Sequence, residues 1–125
     1  MKEFMLLIRN EGDAKAALSP DKHLEFIKQC EQYINALKTN GKLIAAQPLL
    51  REGVIISDTK EGWKEVPLKS DHAIQVGYYH ILASDIHEAI VIAKENPEFE
   101  FVPTATIEVR PIKMKEEMTS YIYPK

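Results

Sequence analysis

Cysteine is all but missing from this chain: its 125 residues include only Cys30. A lone thiol cannot build a disulfide framework within the chain, and such usage fits a reducing cytoplasm. Long apolar runs are missing as well, and nothing approaches the roughly 20 apolar residues of a membrane span. The apolar stretch within residues 1–9 is too short for the core of a secretory signal, and no small-residue cleavage site follows it. The expectation is a cytoplasmic protein with no membrane partner. A strong excess of one charge is also lacking, because 16 Lys and Arg stand against 19 Asp and Glu, a formal net charge of -3. Nucleic-acid binding wants a basic stripe, so no nucleic-acid partner is expected. There is no Gly-rich phosphate loop and no Gly-x-Ser-x-Gly elbow, which argues against nucleotide cofactors and serine hydrolysis. His23, His72, His80 and His87 show no paired ligand spacing. No metal and no cofactor are therefore expected.

What is present is the pattern of one globular domain, with 45% hydrophobic residues and length enough to bury a core unaided. Residues 4–8 form an apolar run of five, which predicts a strand buried on both faces. Ser19-Pro20-Asp21 is a helix start, with Ser as N-cap, Pro in the first helical position and an acid in the first turn. Leu24, Ile27, Ile34 and Leu37 recur at helical spacing, and Gly41 sits where a left-handed C-cap belongs, so a helix is predicted over 20–40. A second strand is expected over 43–50. The apolar run at 53–56 and the segment 63–66 flank Asp58-Thr-Lys-Glu-Gly62, read as a hairpin loop. Residues 67–71 read as a loop. The longest strand is expected over 73–83, with Ile74, Val76, Tyr78, His80 and Leu82 on one face. Ser84-Asp85 caps a second helix, Asn96-Pro97 stops it, and Ile86, Ala89, Ile90 and Ala93 form its packing stripe. Residues 98–103 read as a connector. The last strand, 104–112, alternates, with Ala105, Ile107 and Val109 inward. Residues 1–113 would form the domain, and 114–125 a tail whose Tyr121-Ile-Tyr docks on the domain or on a partner.

The order is β-α-β, then β-α-β with an inserted hairpin. This is the split βαβ, ferredoxin-like layout, an α+β fold with an antiparallel sheet and two helices on one face. The strands are not polar on their other side. A second copy is the simplest cover, which predicts a homodimer with its sheets face to face.

Met5-Leu-Leu-Ile8, Gly77-Tyr-Tyr, Ala83-Ser-Asp-Ile-His-Glu-Ala89 and Ile107-Glu-Val-Arg-Pro111, with Ser19-Pro-Asp-Lys-His-Leu24 and Gly41-Lys-Leu-Ile44, resemble the YCII-related family, in particular its DGPF-type branch. The likeness covers about residues 2 to 113. The namesake Asp-Gly-Pro-Phe is replaced by Glu65-Val-Pro-Leu68, so the glycine is gone and an acid one methylene longer stands in for the aspartate. The resemblance implies a dimeric α+β barrel. That superfamily includes cofactor-free isomerases and dehalogenases, haem-handling monooxygenases and plain binding domains. Some DGPF-type proteins resemble companions of extracytoplasmic-function sigma factors.

In YCII-type relatives a histidine at the start of the first helix is proposed to pair with an aspartate. The resemblance thus points to His23 as general acid or base, with Glu65, and less so Asp58, as its partner. The same histidine can equally be a helix-start residue without a task, and the two acids plain hairpin charges. His72, at the mouth of the long strand, is a candidate substrate contact. So are Tyr78 and His80, two residues apart on one strand face. Arg9 and Arg110 are candidate clamps for a carboxylate, since a guanidinium fork matches two oxygens. An ion pair of Glu108 with Arg110 or Arg9 is the bland alternative. Cys30 reads as packing.

Three functions follow: a cofactor-independent enzyme moving a proton on a small organic acid in the dimer cleft, a non-catalytic binder of such a molecule, or an interaction protein, possible company for a sigma factor. The first predicts a pocket joining His23 to an acid. The second predicts an apolar cavity lined by Tyr78 and Trp63. The third predicts an exposed apolar patch that includes the tail.

Overall fold

The computed structural model describes residues 1–69 and 72–125. Its elements, in chain order, are β1 (Lys2–Glu11), α1 (Pro20–Thr39), β2 (Leu43–Pro48), β3 (Val54–Thr59), β4 (Gly62–Pro67), β5 (Ala73–Ala83), α2 (Ile86–Lys94), α3 (Glu98–Phe101) and β6 (Thr106–Pro111). Among the described residues they form an antiparallel four-stranded sheet, in the order β2-β5-β1-β6, and a separate two-stranded sheet of β3 and β4. Each central strand begins a β-α-β unit that closes on the far side of its neighbour, so the two units interleave. The loop expected at 67–71 ends in Ser70 and Asp71, which lie outside the described residues.

Local chemistry sets the helix ends. The Ser19 hydroxyl accepts from the Lys22 amide and Pro20 opens α1. At the other end, Gly41 N donates to Lys38 O and Lys42 N to Leu37 O, with Gly41 at φ +69. This is the Schellman pattern, and it needs a residue that enters the left-handed region freely. Asp85 accepts from the Glu88 amide, while the Glu88 carboxylate accepts from Ser84 N, a reciprocal cap on α2.

Three expectations about side-chain direction are corrected. The buried residues of α1 are Phe26 and Leu37, with Tyr33 packed against the core, whereas Leu24 and Ile27 stay about half exposed. The stripe is thus rotated from the one the aliphatic spacing suggests. On β5 the pairing passes from Ile8↔Gly77 to Arg9↔Gln75, leaving Val76 as an extra residue. This bulge switches the alternation. Ile74 and Val76 face the helices before it, and Tyr79, Ile81 and Ala83 after it. Tyr78, His80 and Leu82 therefore point to the opposite side from Ile74 and Val76. On α2 the buried set is Ala89, Ile92 and Ala93, with Ile86 exposed.

Four segments differ in extent. The hairpin loop narrows to Lys60-Glu61, where Thr59 Oγ1 accepts from Glu61 N and donates to Gly62 O. The second strand ends at Pro48, and the last begins at Thr106 rather than 104. The connector at 98–103 contains a helical turn, α3, because the Asn96 side chain accepts from Glu98 N at 2.9 Å and restarts the chain after Pro97.

Leu37 of α1 and Ala89, Ile92 and Ala93 of α2 join Phe4, Leu6, Ile8, Tyr79 and Ile81 in one core. Both helices thus lie on the same face of the sheet. Tyr33 ties them together, its hydroxyl donating to Ile92 O at 2.6 Å while its ring meets Tyr79 edge-on at 5.4 Å. The opposite face displays Met5, Leu7, Tyr78 and Leu82, all half-buried. The tail folds back on itself, with Lys115 bridged to Ile122, and reaches the domain through Lys125, which contacts Glu3. Tyr121 and Ile122 remain exposed.

Candidate functional site

The strongest concentration of buried charge lies below the start of α1. After β1 the chain turns tightly: Asp13 Oδ1 accepts from Ala16 N, and Leu18 N donates to Lys15 O. The turn folds Lys15 back over the Phe26 ring, with Nζ 5.1 Å from its centroid, and brings it 3.2 Å from Glu98 Oε2. The same oxygen accepts from Asn10 Nδ2 at 2.9 Å. Glu98 is only 3% exposed and Asn10 only 1%. A buried carboxylate needs a charge partner and hydrogen bonds together, and Glu98 has both. Among the described residues the buried Asn10 Oδ1 has no hydrogen-bond partner.

Lys15 and Glu98 of this cluster, though not Asn10, line a cavity of about 650 Å³ between α1 and the β2–β5 edge. Its volume falls in the range of small-molecule sites, roughly 300–1,000 Å³. His23, Ile27, Glu31, Ile34 and Lys38 line it from α1, which explains why Ile27 keeps the spacing of the stripe yet stays half exposed. Gly77 contributes from β5, where a Cβ would stand 3.2 Å from Gln47 O, so a side chain there would crowd β2. His23 and Lys38 are fifteen residues apart, about 22 Å along the helix axis, so one small ligand cannot meet both.

Titration is suppressed inside. Burial, followed by the charge of Glu98, pushes the Cys30 thiol up to about 11. Burial likewise raises Tyr79 and Tyr33, so both phenols keep their protons at neutral pH. Tyr79 is a lining residue and faces the cavity as a neutral phenol.

The residues singled out in the sequence are distributed over several places. His23 lines the cavity just described, but its imidazole has no acid partner among the described residues. Glu65 and Asp58 lie on the exposed β3–β4 hairpin, paired across it with Ile56 and Trp63, and neither lines that cavity. Arg9 and His72 come together in a second cavity of about 910 Å³ at the hairpin base. Tyr78 and His80 lie on the helix-free face, His80 with Nε2 2.7 Å from Glu3 Oε1. Arg110 is exposed and 3.8 Å from Glu108. Among the described residues no group of three or more His, Cys, Asp or Glu could hold a metal ion.

Lys15, Glu98, Asn10 and Tyr79 were not expected from the sequence. Glu98 is separated from Asn10 by 88 positions. The one available signal was Asn96-Pro97-Glu98, an acid directly after a helix stop, where the Asn side chain can cap a new turn.

No family model matches this chain, and no curated protein does either. Among the described residues no helix is long and apolar enough to cross a membrane.

Proposed function

We propose that this protein binds a small organic acid in the cavity under α1, and that it does so as a YCII-related, ferredoxin-like dimeric α+β barrel. The carrying observation is the Lys15–Glu98 pair that lines the cavity, with Asn10 donating to Glu98. An ammonium has three N–H donors, and Glu98 takes one of them. The rest of Lys15, with His23 nearby on α1, can receive a carboxylate, while Ile27, Ile34 and Val76 take the apolar body. Binding is favoured over proton-transfer catalysis because no acid among the described residues pairs with His23 to orient it as a base. The fold assignment is supported by the strand order β2-β5-β1-β6, with its interleaved β-α-β units. The dimer is supported by the half-buried apolar residues of the helix-free face.

The test is calorimetric titration with aromatic and short aliphatic monocarboxylates, comparing the chain with Lys15→Gln. At least one acid should bind, and the substitution should weaken it tenfold or more. Equal affinity in both proteins, or no binding by any acid, would overturn the reading.

An interaction protein is a second reading, favoured by the exposed apolar side chains of the β3–β4 hairpin, with Ile56 59% and Trp63 76% exposed. Trp63 is the only tryptophan, so a partner seated there would shift its emission to the blue.

A further inference from the structure

The second cavity, at the base of the β3–β4 hairpin, is separate from the site under α1. It is walled by Leu49 and Leu50 after β2, Ile55 of β3, Leu68 after β4, and Ile74 of β5. Arg9, Lys69 and His72 bring basic groups to it, and Glu52 is the single acid among its described lining residues. Arg9 is half-buried, and its guanidinium has neither an ion pair nor a hydrogen bond among the described residues. Its register partner on β5 is Gln75, which lines the same cavity.

A guanidinium is charged at every accessible pH and presents a planar fork of donors. Held half out of water beside aliphatic walls, with no ion-pair partner among the described residues, it is set to meet an anion from outside. The best match for a fork is a planar pair of oxygens. The walls extend the site in one chemical direction only: Leu50 is 76% exposed and Ile55 58%, so an apolar chain lying across them would cover side chains now facing solvent.

From this we infer that the chain has a second binding site, for an amphiphilic monocarboxylate, with the carboxylate on Arg9 and the alkyl chain along Leu50, Ile55 and Leu68. The Gln75 amide supplies a further donor beside Arg9. The site is built from residues of one subunit and does not depend on the ligand proposed under α1.

Octanoate is the probe, with octanol and inorganic phosphate as controls for the chain and the charge. Backbone NMR shifts on titration locate the binding. Octanoate should move the resonances of Leu68, Ile74 and Gln75, and should bind at least tenfold more tightly than either control. Arg9→Gln should weaken octanoate tenfold or more and leave octanol unchanged. Leu50→Glu places a carboxylate on an exposed wall position, where folding is not at risk, and should weaken octanoate without moving the thermal midpoint. Octanoate shifts confined to residues lining the α1 cavity, or affinity indifferent to both substitutions, would overturn the second site. Weakening by Lys15→Gln with no effect of Arg9→Gln would do so as well, while leaving the α1 site standing.

Discussion

The imidazole of His80 on β5 stands 2.7 Å from the carboxylate of Glu3 on β1, on the sheet face away from the helices. Lys125, from the end of the tail, reaches the other oxygen of the same carboxylate. Lys125 first, and His80 after it, hold the Glu3 carboxyl below its ordinary value of 4.5, against the opposing effect of burial. One short cluster thus links two strands and the C-terminal residue.

A carboxyl whose pKa is lower in the folded chain stabilises the fold at pH above its unfolded value. That contribution is lost as pH falls through the folded value. Glu3→Gln is therefore expected to lower the urea midpoint at pH 7, and the difference from the native chain should shrink below about pH 4.5. Lys125→Ala should raise the Glu3 titration midpoint read by carboxyl NMR. A gap between the two urea midpoints that stays constant into the acid range would refute the linkage.

The Lys15–Glu98–Asn10 cluster makes a prediction about stability. Removing one member of a buried pair leaves polar groups without partners, a loss of ~3 kcal/mol or more for a fully buried charge. Lys15 is a quarter exposed and can turn to water, so the larger effect falls on the variant that strands Glu98. Lys15→Met should cost more than Glu98→Gln, and the double variant should recover part of the sum, with a coupling of about 1–2 kcal/mol in urea unfolding. Additive losses would mean that the two groups do not interact.

Where sequence and structure part company on α1, substitutions can decide. Phe26 is buried and meets Phe101 edge-on at 5.4 Å, whereas Leu24 is half exposed. Phe26→Ala should cost about 3–5 kcal/mol, and Leu24→Ala about 0.5 or less. The aliphatic spacing alone would have ranked them the other way.

That reversal marks what the chain made legible. Features set by near neighbours could be read directly: the Ser19-Pro20 start, the Gly41 stop, the Asp85 cap and the full extent of β5. Features set by distant partners could not. The bulge at Val76 turns Tyr79 into the core and Tyr78 out of it, and no local pattern announces it. Ile27 and Ile34 keep helical spacing because they line a cavity, and a cavity wall has the same periodicity as a core. Of the candidate site, only His23 was visible beforehand. Lys15 and Glu98 meet through the turn after β1 and the turn after α2, 83 positions apart, each reading alone as a surface charge.

Cys30 offers a probe of the same cavity. With its pKa pushed up to about 11, only a minute fraction is thiolate at pH 7.5, and the thiolate is the reactive form. Labelling by a disulfide reagent should be slow in the folded chain and rise about tenfold per pH unit between 7 and 9. It should slow further with an acid bound under α1. Labelling at the rate of an unfolded thiol would mean that the cavity is open to solvent.

The helix-free face carries the last prediction. Met5, Leu7, Tyr78 and Leu82 are half-buried there, and Leu7 lies between Tyr78 and Glu108 on its flanking strands. If a second copy covers this surface, the chain should sediment at twice its 14.3 kDa mass. Leu7→Lys keeps a favourable neighbour within its own subunit, because Glu108 is its register partner. It leaves the fold standing, yet in the pair it sets an ammonium where an apolar side chain would be buried in each of two facing surfaces, and desolvating that charge costs several kcal/mol even with Glu108 beside it. The variant should therefore sediment at 14.3 kDa with its circular dichroism unchanged. A native chain that already sediments as a monomer at micromolar concentration would remove the dimer from the proposal. The α1 cavity would be unaffected, since its lining comes from one subunit.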